Sequence, residues 1–221
     1  MNKPASTILI PVPRHRALIA AAICCAGLAV FAFLIIYPFP FKLIAFIPLL
    51  ITAFIISRNI NWPVNASLFF VKNIYSLKLL SFCLIGLLMG IGGAMYYRGS
   101  FGMPVLPALF RSFVFVAMSI GIMEELVFRG FIQGRLSNYY PGFAIIFAAF
   151  AHATYKACLF LSPAAQQHHS LFLFYTWTFG AFILIGLLRH YSKSIVPALL
   201  VHATFDLIVY AENLQAPWWV W

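Results

Sequence analysis

Long apolar runs, separated by short polar or proline-containing stretches, make up most of this chain. The runs do not alternate at the period of two that a half-buried strand shows, and they reach the roughly 17–25 residues that a helix needs to cross a bilayer. Backbone groups inside lipid must be paired within the segment, so runs of this kind are predicted to be helices. Seven spans are predicted, at residues 17–37, 41–57, 79–97, 106–136, 141–161, 171–189 and 194–210.

The pattern therefore predicts an all-α fold, a polytopic transmembrane helical bundle with about seven spans. The breaks between runs suggest three regions. Residues 1–104 would hold the N-terminal helices and basic loops, residues 105–212 would form the functional core from the last four helices, and the aromatic tail 213–221 would anchor at the membrane interface. In the third run Gly86 and Gly90 are four residues apart, a spacing that lets helices approach closely.

Composition and charge support the membrane assignment. Of the residues, 64% are hydrophobic and only 8% are charged, which excludes an ordinary soluble domain. The formal net charge of +10 is spread through short loops, which fits membrane orientation better than nucleic-acid binding. Nine basic residues fall in the predicted cytoplasmic segments, against three, Lys42, Arg98 and Lys156, in the outer loops. This asymmetry predicts a cytoplasmic N-terminus, and the compact chain suggests a bacterial inner membrane.

The chain has four acidic residues, and three of them lie inside apolar runs. Glu124 and Glu125 are adjacent in the fourth run, Asp206 lies in the seventh, and only Glu212 is near a terminus. A charged side chain at membrane depth costs about 2.5–3.5 kcal/mol on insertion scales. A chain that avoids carboxylates elsewhere and keeps these three is therefore predicted to use them in a functional site.

Helical geometry predicts that three different runs bring polar side chains to one level in the bilayer. Glu124, His152 and His202 each lie about 12–17 Å from the cytoplasmic end of their helix, at a rise of ~1.5 Å per residue. Asp206 follows His202 by four residues, so both project from the same face of the last helix. Three remote parts of the sequence are thus expected to form one cluster.

Such a cluster has the groups that amide hydrolysis needs. A carboxylate in a partly wet cavity of low dielectric is a plausible general base toward water, which favours Glu124. One imidazole can orient that water or carry its proton, and a second can donate to the developing oxyanion, where a preorganised donor contributes roughly 2.7–4 kcal/mol. Arg129 lies four residues after Glu125, the better order for an ion pair, and would hold that carboxylate ionised in a supporting role.

These residues resemble the motifs of a known family. The pattern EExxxR at 124–129, a histidine on the next helix at His152, and HxxxD at 202–206 are similar to those of the CPBP family. That family comprises CAAX prenyl endopeptidases and bacteriocin-processing enzymes and is also called the abortive-infection family. The resemblance covers about residues 105–210, including the stretches EELVFRGFIQGRL and SIVPALLVHATFD.

The resemblance implies an intramembrane endopeptidase in which Glu124 activates water together with His152, while His202 and Asp206 line the oxyanion region. Two positions depart from the family pattern. The second motif usually reads FxxxH, but Ala148 stands four residues before His152. The last motif often ends in Asn, and an ionised Asp206 cannot donate to an oxyanion. Asp206 would then orient His202, stay protonated, or carry a different role.

Three alternatives remain open at this point. Glu, His and Asp side chains are acceptable ligands for a divalent metal such as zinc, although no HExxH is present and a site without a metal or other cofactor is favoured. A proton-coupled transporter also uses intramembrane acids and histidines, but it would show an internal repeat, and none is visible. A catalytically silent scaffold or immunity protein would tolerate loss of these side chains. The expected partners are a peptide or membrane-protein substrate and the lipid bilayer, not nucleic acid.

Overall fold

The computed structural model describes residues 12–60, 76–162 and 170–214. Within these ranges the regular structure is helical and no strand is formed, which confirms the all-α prediction. A 3₁₀ turn, Phe41–Ala45, leads into the second helix, and a π-helical segment, Leu126–Gln133, joins the fourth helix to the fifth without a break. The helices are α1 Arg14–Ile35, α2 Phe46–Arg58, α3 Leu77–Ser100, α4 Phe113–Glu125, α5 Gly134–Ser137, α6 Pro141–Leu161, α7 Leu171–Ser192 and α8 Val196–Val209.

Several of these helices have the length and apolar character of membrane spans, and the chain is an integral membrane protein. α8 is apolar but shorter, at 14 residues, while α4, the π-helical segment and α5 follow one another directly. Large apolar side chains such as Phe115, Phe172 and Leu84 project outward from the bundle, as a lipid-facing surface requires. The five segments that qualify by length and composition are Arg14–Ile35, Phe41–Arg58, Leu77–Ser100, Pro141–Leu161 and Leu171–Ser192. The aromatic end of the tail lies outside the described residues.

The fourth span begins later than the sequence pattern predicts. A helix was expected from residue 106, but the chain is irregular up to residue 112, and α4 begins at Phe113. Pro104 and Pro107 lack an N–H and keep the preceding residue out of the helical region, so the apolar run alone was a poor guide here. The backbone N–H of Arg111 instead donates to the carbonyl oxygen of Ala211 at 2.7 Å. The expected helix start at 106 is therefore wrong.

Small residues allow α3 and α8 to pack in close contact. A Cβ added to Gly86 would lie 2.6 Å from the carbonyl oxygen of Pro197, and one added to Gly90 would lie 2.5 Å from that of Val201. Both distances are shorter than any normal contact, so only glycine fits at these positions. The four-residue spacing predicted this close approach. This close contact fixes the position of α8, the helix that carries His202, against α3.

A polar clasp closes one end of the bundle. Arg98 at the end of α3 donates from Nε to the carbonyl oxygen of Pro104 at 2.7 Å and from Nη2 to Oε2 of Glu212 at 2.8 Å. The other carboxylate oxygen of Glu212 accepts the backbone N–H of Ala108 at 2.8 Å. The hydrogen bond from Arg98, helped by the one from Ala108, holds the pKa of the Glu212 carboxyl below its ordinary value of 4.5. The irregular segment before α4 is thereby tied to α3 and to the end of α8.

The α4–α5 rod is the continuous helical segment 113–137, formed by α4, the π-helical segment and α5. A second set of polar contacts holds its C-terminal end. Arg135 donates from Nη2 to Oδ1 of Asn59, just after α2, at 2.5 Å. Gln133 donates from Nε2 to the carbonyl oxygen of Gly186 in α7 at 2.8 Å. Both side chains are buried. The α4–α5 rod, which carries the paired glutamates, is therefore held by polar contacts near both of its ends.

Candidate active site

Three helices bring their polar side chains together in the interior of the bundle. Glu124 occupies the last turn of α4, His152 the middle of α6 and His202 the middle of α8. Oε2 of Glu124 lies 3.0 Å from Nε2 of His152 and 3.6 Å from Nε2 of His202. All three residues are buried. The convergence expected from depth along each helix is therefore present.

Glu125 forms the inner side of the same cluster. Its Oε1 accepts a hydrogen bond from Nδ1 of His202 at 3.0 Å, and its Oε2 lies 3.6 Å from Nε of Arg129. The second distance is that of an ion pair rather than a hydrogen bond. Both side chains are wholly buried, so the two charges offset each other where water cannot. The ion pair between Glu125 and Arg129 that the sequence predicted is thus present, on the buried side of the cluster.

The backbone after the paired glutamates is π-helical. The segment Leu126–Gln133 follows α4 directly, and its inward side chains include Arg129 and Gln133, both almost completely buried. π-Helical turns are rare and occur mostly at functional sites, because they change the direction in which side chains leave the helix. Hydropathy carries no signal for the hydrogen-bond register of a helix, so the sequence did not predict this segment.

The ring of His152 is held between two phenylalanines from different elements. Phe128 of the π-helical segment stacks on one face with ring centroids 4.1 Å apart, and Phe182 of α7 stacks on the other at 3.7 Å. The interplanar angles are 11° and 5°. Ala148, where the family favours an aromatic residue, is buried but does not take this role. No sequence pattern singles out either phenylalanine among the 24 in the chain.

The partners of His152 define which of its nitrogens carries the proton. Nη1 of Arg129 lies 3.4 Å from Nδ1, and a guanidinium can only donate, so Nδ1 accepts. The proton of the neutral ring is then on Nε2, which donates to Oε2 of Glu124 at 3.0 Å. Arg129 also donates from Nη2 to the carbonyl oxygen of Phe182 at 3.2 Å. Arg129 therefore sets the orientation of both the Glu125 carboxylate and the His152 ring.

His202 lies among three carboxylates. Besides Glu125 and Glu124, it faces Asp206, whose Oδ2 lies 3.9 Å from Nε2 of the ring. This distance is too long for a hydrogen bond, so Asp206 acts on His202 through charge. Gly121 of α4 lies against both residues, and a Cβ added there would clash with the His202 ring at 2.8 Å. The absence of a side chain at Gly121 is what lets α8 bring His202 and Asp206 to the glutamates.

Lys156 belongs to the cluster, although the sequence pattern assigned it to an outer loop. It lies on α6 one turn after His152, and its Nζ donates to Oε1 of Glu124 at 2.5 Å. The outer-loop assignment is therefore wrong, because Lys156 lies within α6, inside the predicted span 141–161, and contacts Glu124 in the interior of the bundle. A useful signal was available: a lysine four residues after His152 shares the same helix face. The two oxygens of Glu124 thus have different partners, the histidines on one side and the lysine on the other.

The cluster has a dry inner part and a slightly exposed rim. The side chains of Glu125, Arg129 and His152 are 0% exposed. Those of His202 and Lys156 are 11% and 15% exposed, and Glu124 lies between the two groups at 6%. Among the described residues, the side of Glu124 on which Lys156 and His202 lie is therefore the more exposed one.

Three residues of the cluster offer atoms that could bind a metal ion. One ligand atom from each of Glu124, His152 and His202 can be chosen so that all lie within 4.8 Å of one another, and this is a donor set that zinc accepts. The same carboxylate, however, already holds the Lys156 ammonium at 2.5 Å. A divalent cation placed beside that ammonium would be repelled. A metal ion bound by these three residues would therefore have to displace the Lys156 ammonium from Glu124.

The fold and the cluster together define a class, a helical membrane protein with a buried Glu–His site on its last helices. Residues 106–208 match the family model described as type II CAAX prenyl endopeptidase Rce1-like. The match bears out the resemblance to the CPBP group that the motifs of these residues showed. Searches of curated proteins and of solved structures gave no match. The match covers the helices that carry all the side chains of the cluster.

Proposed function

We propose that this protein is an intramembrane endopeptidase that hydrolyses a peptide bond near the membrane, with Glu124 activating the attacking water. The observation that carries this proposal is the contact between Glu124 and His152, 3.0 Å apart in a buried site within the region that matches a protease family. The catalytic core would be residues 105–212, with residues 1–104 as an N-terminal helical addition and 213–221 as an interfacial tail.

The chemistry follows from the partners of each group. Glu124 takes a proton from water, and the Nε2–H of His152 keeps the carboxylate in place as it does so. The resulting hydroxide attacks the carbonyl carbon, and negative charge develops on the carbonyl oxygen. Nε2 of His202 lies 3.6 Å from Oε2 of Glu124, where its N–H can donate to the oxygen of a carbonyl group attacked beside Glu124. Asp206 orients His202 and stabilises its positive charge.

The charges of the cluster support a protonated His202. Glu124, Glu125 and Asp206 bring three carboxylates, whereas Arg129 and Lys156 bring two cations. A net charge in a buried site is costly, so one further proton is needed for neutrality. His202 is the group that faces all three carboxylates, and it is the natural place for that proton. A protonated imidazole is also the stronger donor to an oxyanion.

The substrate would be a peptide or a membrane protein that reaches the rim of the site from the bilayer. The family description names CAAX prenyl endopeptidases, so a prenylated C-terminal peptide is the first probe to use. We also propose that the N-terminus lies in the cytoplasm, on the distribution of basic residues in the loops, and that the membrane is a bacterial inner membrane, on the compact chain and its short loops. We also propose that no metal takes part, so that chelators leave the rate unchanged and zinc does not increase it.

The experiment that tests this function compares protein N-termini in cells. Cells expressing the wild type, Glu124→Gln or Glu212→Gln are analysed by N-terminal proteomics. Glu212→Gln is the matched control, because it makes the same acid-to-amide change outside the cluster. We expect neo-N-termini that are present with the wild type and with Glu212→Gln and absent with Glu124→Gln. A Glu124→Gln protein that accumulates normally and yields the same neo-N-termini would reject the proposal.

A further inference from the structure

Lys156 contacts the acid of the site from the side on which a substrate must approach. Its Nζ lies 2.5 Å from Oε1 of Glu124, while both histidines face Oε2. Its side chain is 15% exposed, the largest exposed fraction among the ion-paired groups of the cluster. Lys156 thus combines a direct contact with the Glu124 carboxylate with the most exposed position among these groups. The position of Lys156 therefore calls for a chemical explanation.

Peptide hydrolysis needs a proton donor for the leaving nitrogen as well as a base that activates water. When the carbon–nitrogen bond breaks, the leaving nitrogen must take up a proton, because an amide anion is far too basic to leave. Both ring nitrogens of His152 are engaged, Nδ1 with Arg129 and Nε2 with Glu124. Nδ1 of His202 is bonded to Glu125, and its Nε2 serves the oxyanion in the proposed function. Lys156 has three N–H donors, exposure on the rim and a direct contact with Glu124.

We propose that Lys156 is the general acid that protonates the leaving amine, an inference that rests on the proposed function of Glu124. Water gives one proton to Glu124, and its oxygen forms a bond to the carbonyl carbon. The carbon–nitrogen bond then breaks, and the nitrogen takes a proton from the Lys156 ammonium. Glu124 returns its proton to the neutral amine of Lys156 across the 2.5 Å contact. The net reaction consumes one peptide bond and one water, and both side chains regain their starting states.

Two variants separate an acid from a structural ion pair. Lys156→Met removes both the charge and the proton. Lys156→Arg keeps the charge beside Glu124 but cannot give up a proton, because a guanidinium is not deprotonated in proteins. If Lys156 only pairs with Glu124, arginine should restore cleavage; if it is the acid, arginine should not.

The probes are a prenylated CAAX peptide and its analogue in which the scissile amide is replaced by a thioester, both presented in lipid–detergent micelles. A thiol has an ordinary pKa of about 8.5 and leaves as the thiolate, so thioester hydrolysis needs a base but no acid. We expect both lysine variants to cleave the amide about 10²–10⁴-fold more slowly than the wild type, the usual contribution of a general acid. Thioester hydrolysis should stay within a few fold of the wild type, which also shows that the site is folded.

Every other outcome counts against the proposal. Equal loss of amide and thioester cleavage in both variants would mean that Lys156 only holds the site together. Amide cleavage restored by Lys156→Arg would assign it the role of a fixed charge. Glu124→Gln, measured alongside, should lose both reactions. If Glu124→Gln instead cleaves both probes at the wild-type rate, the proposed function itself is rejected, and the role of Lys156 with it.

Discussion

Asp206 is the residue of the cluster that departs from the CPBP-like motif, which often ends in Asn at this position. Its carboxylate lies 3.9 Å from Nε2 of His202 and is not bonded to it, so its effect on the ring is electrostatic. It also lies directly against Gly121, and a Cβ added to that glycine would clash with Oδ2 of Asp206. The same cluster also holds a cation, Lys156, whose Nζ pairs with Glu124.

We expect Asp206→Asn to keep its activity within about tenfold of the wild type, a change of ~1.4 kcal/mol in barrier height. The amide has the same shape, and it can itself donate a hydrogen bond to an oxyanion. Asp206→Leu, which offers neither charge nor donor, should lose more. Initial rates of the purified variants on the prenylated peptide give the comparison. A loss in Asp206→Asn as large as that in Glu124→Gln would show that the carboxylate takes part directly.

At the scale of elements, the site depends on how closely α8 lies against α3 and α4. Gly90 meets the backbone of α8, with Val201 and Thr204 directly opposite. Gly92, two residues along on the same helix, has nothing within 4 Å of an added Cβ. The two glycines therefore offer a matched pair for testing the contact.

Gly90→Ala should lower stability by about 1–3 kcal/mol, the usual cost of overpacking a tight contact. Gly92→Ala should leave stability unchanged or raise it by up to about 1 kcal/mol, since alanine is the better helix former. Thermal unfolding of both variants in the same detergent measures the difference. Equal melting temperatures for the two variants would contradict the close α3–α8 contact.

The Arg98–Glu212 clasp gives a pH dependence of known sign. The hydrogen bond from Arg98 lowers the pKa of Glu212 below its ordinary 4.5, so the folded protein favours the ionised carboxyl. The stability from this group is complete above the unfolded-state pKa and is lost as pH falls through the lower folded-state value. We expect the wild type to melt at a higher temperature than Glu212→Gln at pH 7, and the difference to shrink below pH ~4.5. A difference that stays constant down to pH 3 would argue against the clasp.

The sequence predicted the helices well and the details of the site only in part. Length and apolar character are enough to locate α1, α3, α6 and α7, because lipid leaves a long apolar run no other structure. The irregular chain before α4 was missed because apolar residues also occur in a segment that prolines keep from being helical. The π-helical segment was missed because a change of hydrogen-bond register leaves no mark on composition.

The residues of the cluster also divide into those that the sequence could predict and those that depend on packing. Glu124, His152 and His202 could be predicted because a buried polar group in an apolar helix needs a reason, and their depths matched. Lys156 was read as part of a loop, because a lysine near the end of a run is most simply explained by topology. Phe182 could not be predicted, because stacking on His152 depends on how α7 packs against α6, and nothing in its local sequence records that contact.

At the scale of the whole molecule, the central feature is a buried cluster of charged side chains with one slightly exposed side. Polar contacts tie both ends of the α4–α5 rod to neighbouring helices, and tight helix contacts bring α8 against it. The inner charges are dry and fixed, while Glu124 stands at the border of the exposed rim. In the proposed function this arrangement keeps Glu124 and its inner partners in fixed positions, with the more exposed Lys156 and His202 on the other side.

The measurement that tests this account most directly is the cleavage rate of purified protein on the prenylated peptide. Wild type, Glu124→Gln and Glu212→Gln are compared in the same micelles, with unfolding temperatures recorded for each. We predict that Glu124→Gln loses about 10²–10⁴-fold in rate, as expected for removal of a general base, while Glu212→Gln retains the wild-type rate despite its lower stability. A folded Glu124→Gln protein that cleaves as fast as the wild type would contradict the account.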